Sequence, residues 1–258
     1  MNYENIIVEI KEGIAYVTLN RPKALNALNA QLIKEIGACF SALEDEAIVG
    51  VIMTGSGEKA FAAGADISEF GSLTEESCYE LSKAGHEVFN QVEAFIKPVI
   101  AVVNGFCLGG GCELAMACHM RIAEEHARFG QPEVNLGLLP GYGATQRMTK
   151  LIGKARSIEY HVTADMIDAD TAVQIGLVNH KTPLGEGVAK AEEILKKVAT
   201  KGPLAVSACI NVINKYDDHE VDAFDLESKL FAKVMLTEDA KEGTQAFMEK
   251  RKANFKGQ

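Results

Sequence analysis

Two glutamates and two glycine-rich turns are the residues of this chain best suited to chemistry. The first turn reads Phe61-Ala62-Ala63-Gly64-Ala65-Asp66, and the second reads Gly109-Gly110-Gly111-Cys112-Glu113. The other glutamate, Glu133, follows in Gln131-Pro132-Glu133. Glycine lets a backbone turn sharply and approach a ligand closely. Two such turns could aim two main-chain N–H groups at one oxygen atom. Two carboxyls beside that oxygen could then move protons. Together these parts suit a reaction that passes through an enolate-like anion.

Taken singly, each feature has a plainer reading. A glycine triplet can be a tight connection from strand to helix with no ligand. It is not the dinucleotide G-x-G-x-x-G, because Glu113 and Leu114 occupy the positions of the later glycine, and no G-K-[ST] follows to make a P-loop. Glu113 in a first helical turn can serve only as a dipole partner. Its neighbours Cys112, Leu114, Ala115 and Met116 are apolar, however, so the helix terminus and desolvation would pull its pKa in opposite directions. Glu133 alone would read as a surface acid in an apolar, loop-like segment. The combination changes the reading.

The elements that must position these residues alternate between strand and helix. Residues 6–10 and 14–19 form β-rich runs around Lys11-Glu12-Gly13, as in a hairpin. Asn29 is placed to cap a helix with Leu32, Ile36, Phe40 and Leu43 on one face. Residues 49–54 read as a buried strand. Thr74 starts a second helix, with Leu81, Ala84, Val88, Phe89, Val92 and Phe95 as its apolar face and Pro98 as its stop. Residues 99–103 (Val-Ile-Ala-Val-Val) are continuously apolar, as in a strand buried on both faces, and run on towards the triple glycine. A helix over 113–118 and a strand over 121–123 follow. This order predicts an α/β fold with parallel pairing. Beyond Gly187 the pattern is helical only, with stripes at Val188/Ala191/Leu195/Val198, Val206/Cys209/Ile210/Ile213, Leu226/Leu230/Phe231/Val234 and Ala240/Thr244/Phe247/Met248. A boundary near Pro203 divides a core with the active site, residues 1–200, from a helical region, residues 201–258, that packs on the core or on a neighbouring subunit.

Composition narrows the function classes. The 258 residues are 47% hydrophobic and 24% charged, as in a globular protein, and long enough for a substantial core. A net charge of −10 without a basic stripe points away from nucleic acid. No apolar run is long enough for a membrane span. The start, Met1-Asn2-Tyr3-Glu4-Asn5, lacks the pattern of a secretory leader. Six cysteines without C-x-x-C spacing read as reduced, mostly buried thiols of a cytoplasmic protein, with disulfides or zinc as the lesser alternatives. Lone His86 and His161 read as helix-surface residues rather than ligands.

Several spaced segments, in order, resemble the crotonase (enoyl-CoA hydratase/isomerase) superfamily over nearly the whole chain. They are Asn20-Arg21-Pro22-Lys23-Ala24-Leu25-Asn26-Ala27-Leu28, Ala63-Gly64-Ala65-Asp66-Ile67, Asn104-Gly105 through Ala115, Arg128 through Glu133, Leu139-Pro140-Gly141 through Arg147, and Glu242-Gly243 with residues 246–252. The resemblance implies a spiral of ββα units with a C-terminal helical trimerisation region, assembled as a homotrimer or a homohexamer of two stacked trimers. It implies that the N–H groups of Ala65 and Gly110 hold a thioester oxygen. It further implies that Glu113 orients and activates water and that Glu133 exchanges the α-proton, although the division of roles stays open. Lys23, Ala24 and Leu25, with Ala63, Asp66 and Ile67, and with Gly109, Pro140 and Gly141, would line the acyl-CoA site. Lys23, Lys250, Arg251 and Lys252 are candidates for the CoA phosphates. The implied activity is reversible hydration of a short-chain enoyl-CoA, crotonyl-CoA to 3-hydroxybutyryl-CoA, with no metal and no cofactor beyond the CoA of the substrate. A double-bond isomerase or another acyl-CoA enzyme of the same fold is the alternative, and a non-catalytic acyl-CoA- or RNA-binding scaffold a more distant one. The chain departs from the pattern at Cys118-His119, where relatives carry Cys-Asp. Tyr142 and Ala144 fall where an acyl chain should pass.

Overall fold

The computed structural model describes residues 3–71, 74–216 and 218–258. Met1 and Asn2, the first residues of the segment read for a leader, lie outside them. The described strands are β1 (Ile6–Lys11), β2 (Ile14–Leu19), β3 (Gly50–Gly55), β4 (Ala60–Ala63), β5 (Val99–Val103), β6 (Phe106–Leu108), β7 (Met120–Glu124), β8 (Arg128–Gly130), β9 (Ile167–Asp168) and β10 (His180–Thr182). The helices are α1 (Ala30–Leu43), α2 (Glu75–Glu93), α3 (Gly110–Ala117), α4 (Ala144–Ile152), α5 (Lys154–Thr163), α6 (Ala169–Gln174), α7 (Gly187–Val198), α8 (Pro203–Ile213), α9 (Ala223–Met235) and α10 (Glu238–Met248). The strands make two sheets, one in the order β1-β2-β3-β5-β7-β10 and one in the order β4-β6-β8-β9.

The chain visits the two sheets alternately, which makes the fold a spiral. β3 lies in the large sheet, β4 in the small one, and α2 follows; β5, β6 and α3 repeat the step, and β7, β8 and α4 repeat it again. All the pairings among β2, β3, β5, β7 and β10 are parallel. β5 explains why its sequence is apolar throughout. Ile100 and Val102 face α7 through Ala191 and Leu195, whereas Val99, Ala101 and Val103 face the main core beneath α1 to α4. Both faces are buried, as parallel sheets require.

The local signals act as their chemistry dictates. The Asn29 side chain accepts the Leu32 N–H at 2.8 Å and caps α1. Thr74 and Ser77 close a reciprocal capping box on α2. Two expectations need correction. β5 does not feed the triple glycine directly, because the three-residue strand β6 intervenes and belongs to the other sheet. Ala84 is exposed and Gly85 is buried in its place, since α2 packs closely where a side chain is absent. Along α10, Ala246 and Asp239 are buried within the chain, whereas Phe247 and Met248 of the predicted stripe face outward. The Asp239 carboxylate accepts the Lys256 and Gly257 N–H groups at 2.7 and 2.8 Å, so α10 turns that face to the C-terminal tail.

The small sheet determines where the functional turns lie. β4, β6 and β8 run parallel, with Ala63 level with Leu108 and Leu108 level with Gly130. Their C-terminal ends open into Gly64-Ala65, Gly109-Gly110 and Gln131-Pro132-Glu133. Ligand sites in α/β folds form at such strand ends. His119 lies apart from them. Its Nδ1 accepts the Val99 N–H at 3.0 Å and its Nε2 faces the Glu93 carbonyl at 2.9 Å. Burial pushes its pKa down, consistent with a neutral ring that joins β5 to the end of α2.

Candidate active site

Ala65 owes its position to the N-terminal loop. The Leu28 N–H donates to Gly64 O, and the Asp66 N–H donates to Leu28 O, each at 2.8 Å. This isolated bridge turns the Ala65 N–H to the opposite side. Buried Asn26 anchors the loop by donating to Ala60 O at 2.9 Å and to Ser56 O at 3.1 Å. Gly110 is the first residue of α3, so its N–H has no partner within the helix. A Cβ built on Gly110 would stand 3.5 Å from the Ala65 nitrogen. The two turns are therefore in contact, and among the described residues neither N–H donates to a protein acceptor.

Two glycines make this approach possible. Gly109 has φ 48° and ψ −126°, a region open to glycine alone. A Cβ on Gly111 would lie 2.1 Å from Ala62 O, so the first turn of α3 packs directly on the β4 backbone. α3 is buried along its whole length, between the small sheet and helices α2 and α4.

Glu113 is 1% exposed. Its Oε1 accepts the Tyr142 N–H at 2.8 Å and the Ala144 N–H at 2.9 Å, both from the turn before α4. Burial pushes its pKa up to about 7, and the Glu133 charge adds to the rise; the two N–H groups and Arg147 oppose it. Glu133 opens a short 3-10 turn, Glu133–Leu136. Its carboxyl overlies Gly109, where a Cβ would come within 2.7 Å of Oε1. With its amide nitrogen facing that carboxyl, buried Gln131 stands 3.1 and 3.2 Å from the two Glu133 oxygens. Burial raises the Glu133 pKa as well. Two interacting carboxyls with raised pKa values can divide into a base and an acid near neutrality.

The remaining candidates are placed unequally. Lys23 and Ala24 lie on an exposed 3-10 turn, and Leu25 is 37% exposed. The Ala63 N–H donates to Leu25 O at 3.0 Å, which joins this loop to β4. Asp66 is committed to the fold: its carboxylate accepts from Ser68 and pairs with Arg21 at 2.9 Å, contacts that lower its pKa. Ile67 is 61% exposed. Pro140 and Gly141 are partly buried, and Gly141 O accepts from Ser82 of α2 at 2.6 Å. Arg251 is paired with Glu242 and Glu249, and Lys252 lines a separate cleft of about 820 Å³ that includes none of Ala65, Gly110, Glu113 and Glu133.

Reading by residue type did not assign roles to the Tyr142 and Ala144 N–H groups, to Gln131 or to Arg147. Arg147 secures the turn that serves Glu113. Its guanidinium donates to Tyr142 O at 2.9 Å, to Asn90 Oδ1 at 2.6 Å and to Glu93 Oε2 at 2.9 Å. The segment Pro140-Gly141-Tyr142-Gly143-Ala144 was the available signal, since two glycines around one aromatic residue mark a turn with exposed N–H groups. The arrangement as a whole can hold an oxyanion and transfer protons at the carbon atoms beside it.

The chain is similar to known proteins in both sequence and fold. The sequence pattern of enoyl-CoA hydratase/isomerase matches residues 9–258. The chain is 46% identical over 257 residues to a crotonyl-CoA hydratase of Syntrophomonas wolfei, covering 99% of each chain. It is 45% identical over 254 residues to a short-chain-enoyl-CoA hydratase of Clostridium acetobutylicum, covering 98% of this chain and 97% of the relative. The crystal structure of an enoyl-CoA hydratase from Bacillus anthracis superposes with a TM-score of 0.92 at 37% identity, over 99% of this chain and all of that one.

Proposed function

The chain belongs to the enoyl-CoA hydratase/isomerase family, and on that premise we propose how it hydrates short-chain enoyl-CoA at the site just described. The thioester oxygen rests on the Ala65 and Gly110 N–H groups. Glu113, ionised, takes a proton from water as the water oxygen bonds to C3 of the substrate. Electrons from the C2–C3 double bond move onto the thioester oxygen as an enolate. Glu133, protonated, delivers its proton to C2, and the enolate returns to the thioester. The product is 3-hydroxyacyl-CoA, with crotonyl-CoA giving 3-hydroxybutyryl-CoA. Water is added without any change of redox state, so these steps need no redox cofactor, and the two N–H donors take the charge that develops on the thioester oxygen.

The observation that carries this reading is the meeting of two unpaired main-chain donors with two carboxyls of raised pKa. Loss of one oxyanion donor costs roughly 3–4 kcal/mol where it has been measured. A double-bond isomerase can operate with one acid–base carboxylate, so the pair Glu113 and Glu133 favours the hydratase. Lys23, Ala24, Leu25, Ala63, Ile67, Gly109, Pro140 and Gly141 would contact the acyl-CoA, while Asp66 shapes the loop. Residues 201–258 would serve assembly into a homotrimer or homohexamer. Six unpaired cysteines, four of them buried, fit a reducing, cytoplasmic setting. Among the described residues no helix is long and apolar enough to cross a membrane. The test is to mix the protein with crotonyl-CoA and follow the ultraviolet absorbance of the conjugated thioester. Rapid loss is expected; no loss at high enzyme concentration would overturn the reading.

A further inference from the structure

We propose that the Tyr142 ring is the wall that ends the acyl pocket and restricts this enzyme to short acyl groups. The proposal rests on the hydratase reading of the site. A Cβ built on Gly110 would meet Tyr142 Cδ2 and Leu28 Cδ1 at 3.3 Å each, and the Ala65 nitrogen at 3.5 Å. The ring thus stands beside the two donors that hold the thioester oxygen. The N–H of the same residue bonds to Glu113, so the ring and the carboxyl acting at C3 are fixed to one turn. A thioester whose oxygen lies on those donors, and whose C3 lies beside Glu113, sends its next carbons towards the space bounded by Tyr142 and Leu28. A crotonyl group has a single methyl beyond C3 and would end against the ring. A longer chain has to displace the ring.

The ring has nowhere to move. Its far side fills a notch in α2, where a Cβ on Gly85 would come within 2.2 Å of Tyr142 Cδ1 and 2.4 Å of Cε1. Phe89 meets it edge to face, with centroids 5.5 Å apart at 67°. The backbone is held at both ends, by the N–H to Glu113 and by the carbonyl to Arg147. Replacing the ring by a small side chain would open an apolar extension towards Gly85 and Phe89. An interior packed this closely does not yield to one or two extra methylenes without cost.

The test measures kcat/KM for crotonyl-, hexenoyl- and octenoyl-CoA with the parent protein and with Tyr142→Ala, Tyr142→Leu and Tyr142→Phe. The parent is expected to decline with chain length. Tyr142→Ala is expected to raise the octenoyl-to-crotonyl ratio by roughly tenfold or more, and Tyr142→Leu to raise it by less. Tyr142→Phe keeps the parental ratio, because the ring and not the hydroxyl forms the wall. Inhibition by saturated butyryl- and octanoyl-CoA gives a readout independent of turnover, and octanoyl-CoA should gain on butyryl-CoA in Tyr142→Ala. An unchanged ratio in both smaller variants, with the parent still hydrating crotonyl-CoA, overturns the wall. So does a parent that hydrates octenoyl-CoA as well as crotonyl-CoA. A parent inert towards the whole series overturns the hydratase reading itself.

Discussion

Glu113 combines deep burial with two hydrogen bonds to its carboxylate, and these act against each other. Burial dominates and moves its pKa from the ordinary 4.5 to about 7. As the base, it must be ionised, so kcat/KM for crotonyl-CoA is expected to fall as pH drops below about 7. Stability runs the other way. A carboxyl whose folded pKa lies above its unfolded value stabilises the fold fully below the unfolded value, and that contribution is lost as pH rises through the folded one. Glu113→Gln never has to ionise, and its amide oxygen can still accept from Tyr142 and Ala144. Its melting temperature relative to the parent is therefore expected to rise between about pH 5 and about pH 8; a constant difference across that range would contradict the assignment. Glu113→Gln and Glu133→Gln are each expected to lower kcat by about 10²–10⁴-fold while binding of butyryl-CoA is retained, as steady-state kinetics with inhibition by butyryl-CoA would show. Residue types marked both glutamates as candidates in the sequence, because an acid amid apolar neighbours is unusual. The Tyr142 and Ala144 donors were not legible there. A main-chain N–H has no side-chain signature, and only the fold shows which acceptor it reaches.

The elements that deliver these groups differ in how clearly the sequence announced them. β5, α1 and the start of α2 were legible because periodicity and capping are local. β6 was not. It is three residues long, Phe106-Cys107-Leu108, set between Asn104-Gly105 and the triple glycine, and its pairing with β4 and β8 is non-local. The contact of α3 with β4 belongs to the same level. Gly111→Ala would place a methyl 2.1 Å from Ala62 O. The helix must then retreat, taking Gly110 away from Ala65. A stability loss of about 1–3 kcal/mol is expected by urea unfolding. The loss of kcat should exceed what the unfolded fraction explains. Normal turnover in a destabilised Gly111→Ala protein would show that the two donors need not be adjacent.

At the scale of the whole molecule, the C-terminal helices leave Ile213, Phe224, Phe231, Leu236, Phe247 and Met248 between 66% and 86% exposed. Apolar exposure of this extent is characteristic of surfaces that meet a partner. The stripes of α8 to α10 were readable as amphipathic, but sequence alone did not say whether the core or a second copy covers them. Light scattering is expected to give three or six times the chain mass of 27.8 kDa. Paired Phe231→Asp and Phe247→Asp substitutions should reduce that mass, and a monomeric parent would refute assembly through this region. The small sheet has a consequence of another kind. β4, β6 and β8 end level with one another, so backbone hydrogen bonds rule the separation of donor turn, helix start and acid, one strand spacing of about 4.8 Å at a time. Side chains elsewhere can drift through evolutionary time without disturbing that ruler. A lineage could exchange the acid at the tip of β8 for another group, retool the reaction, and inherit the anion-holding half unaltered.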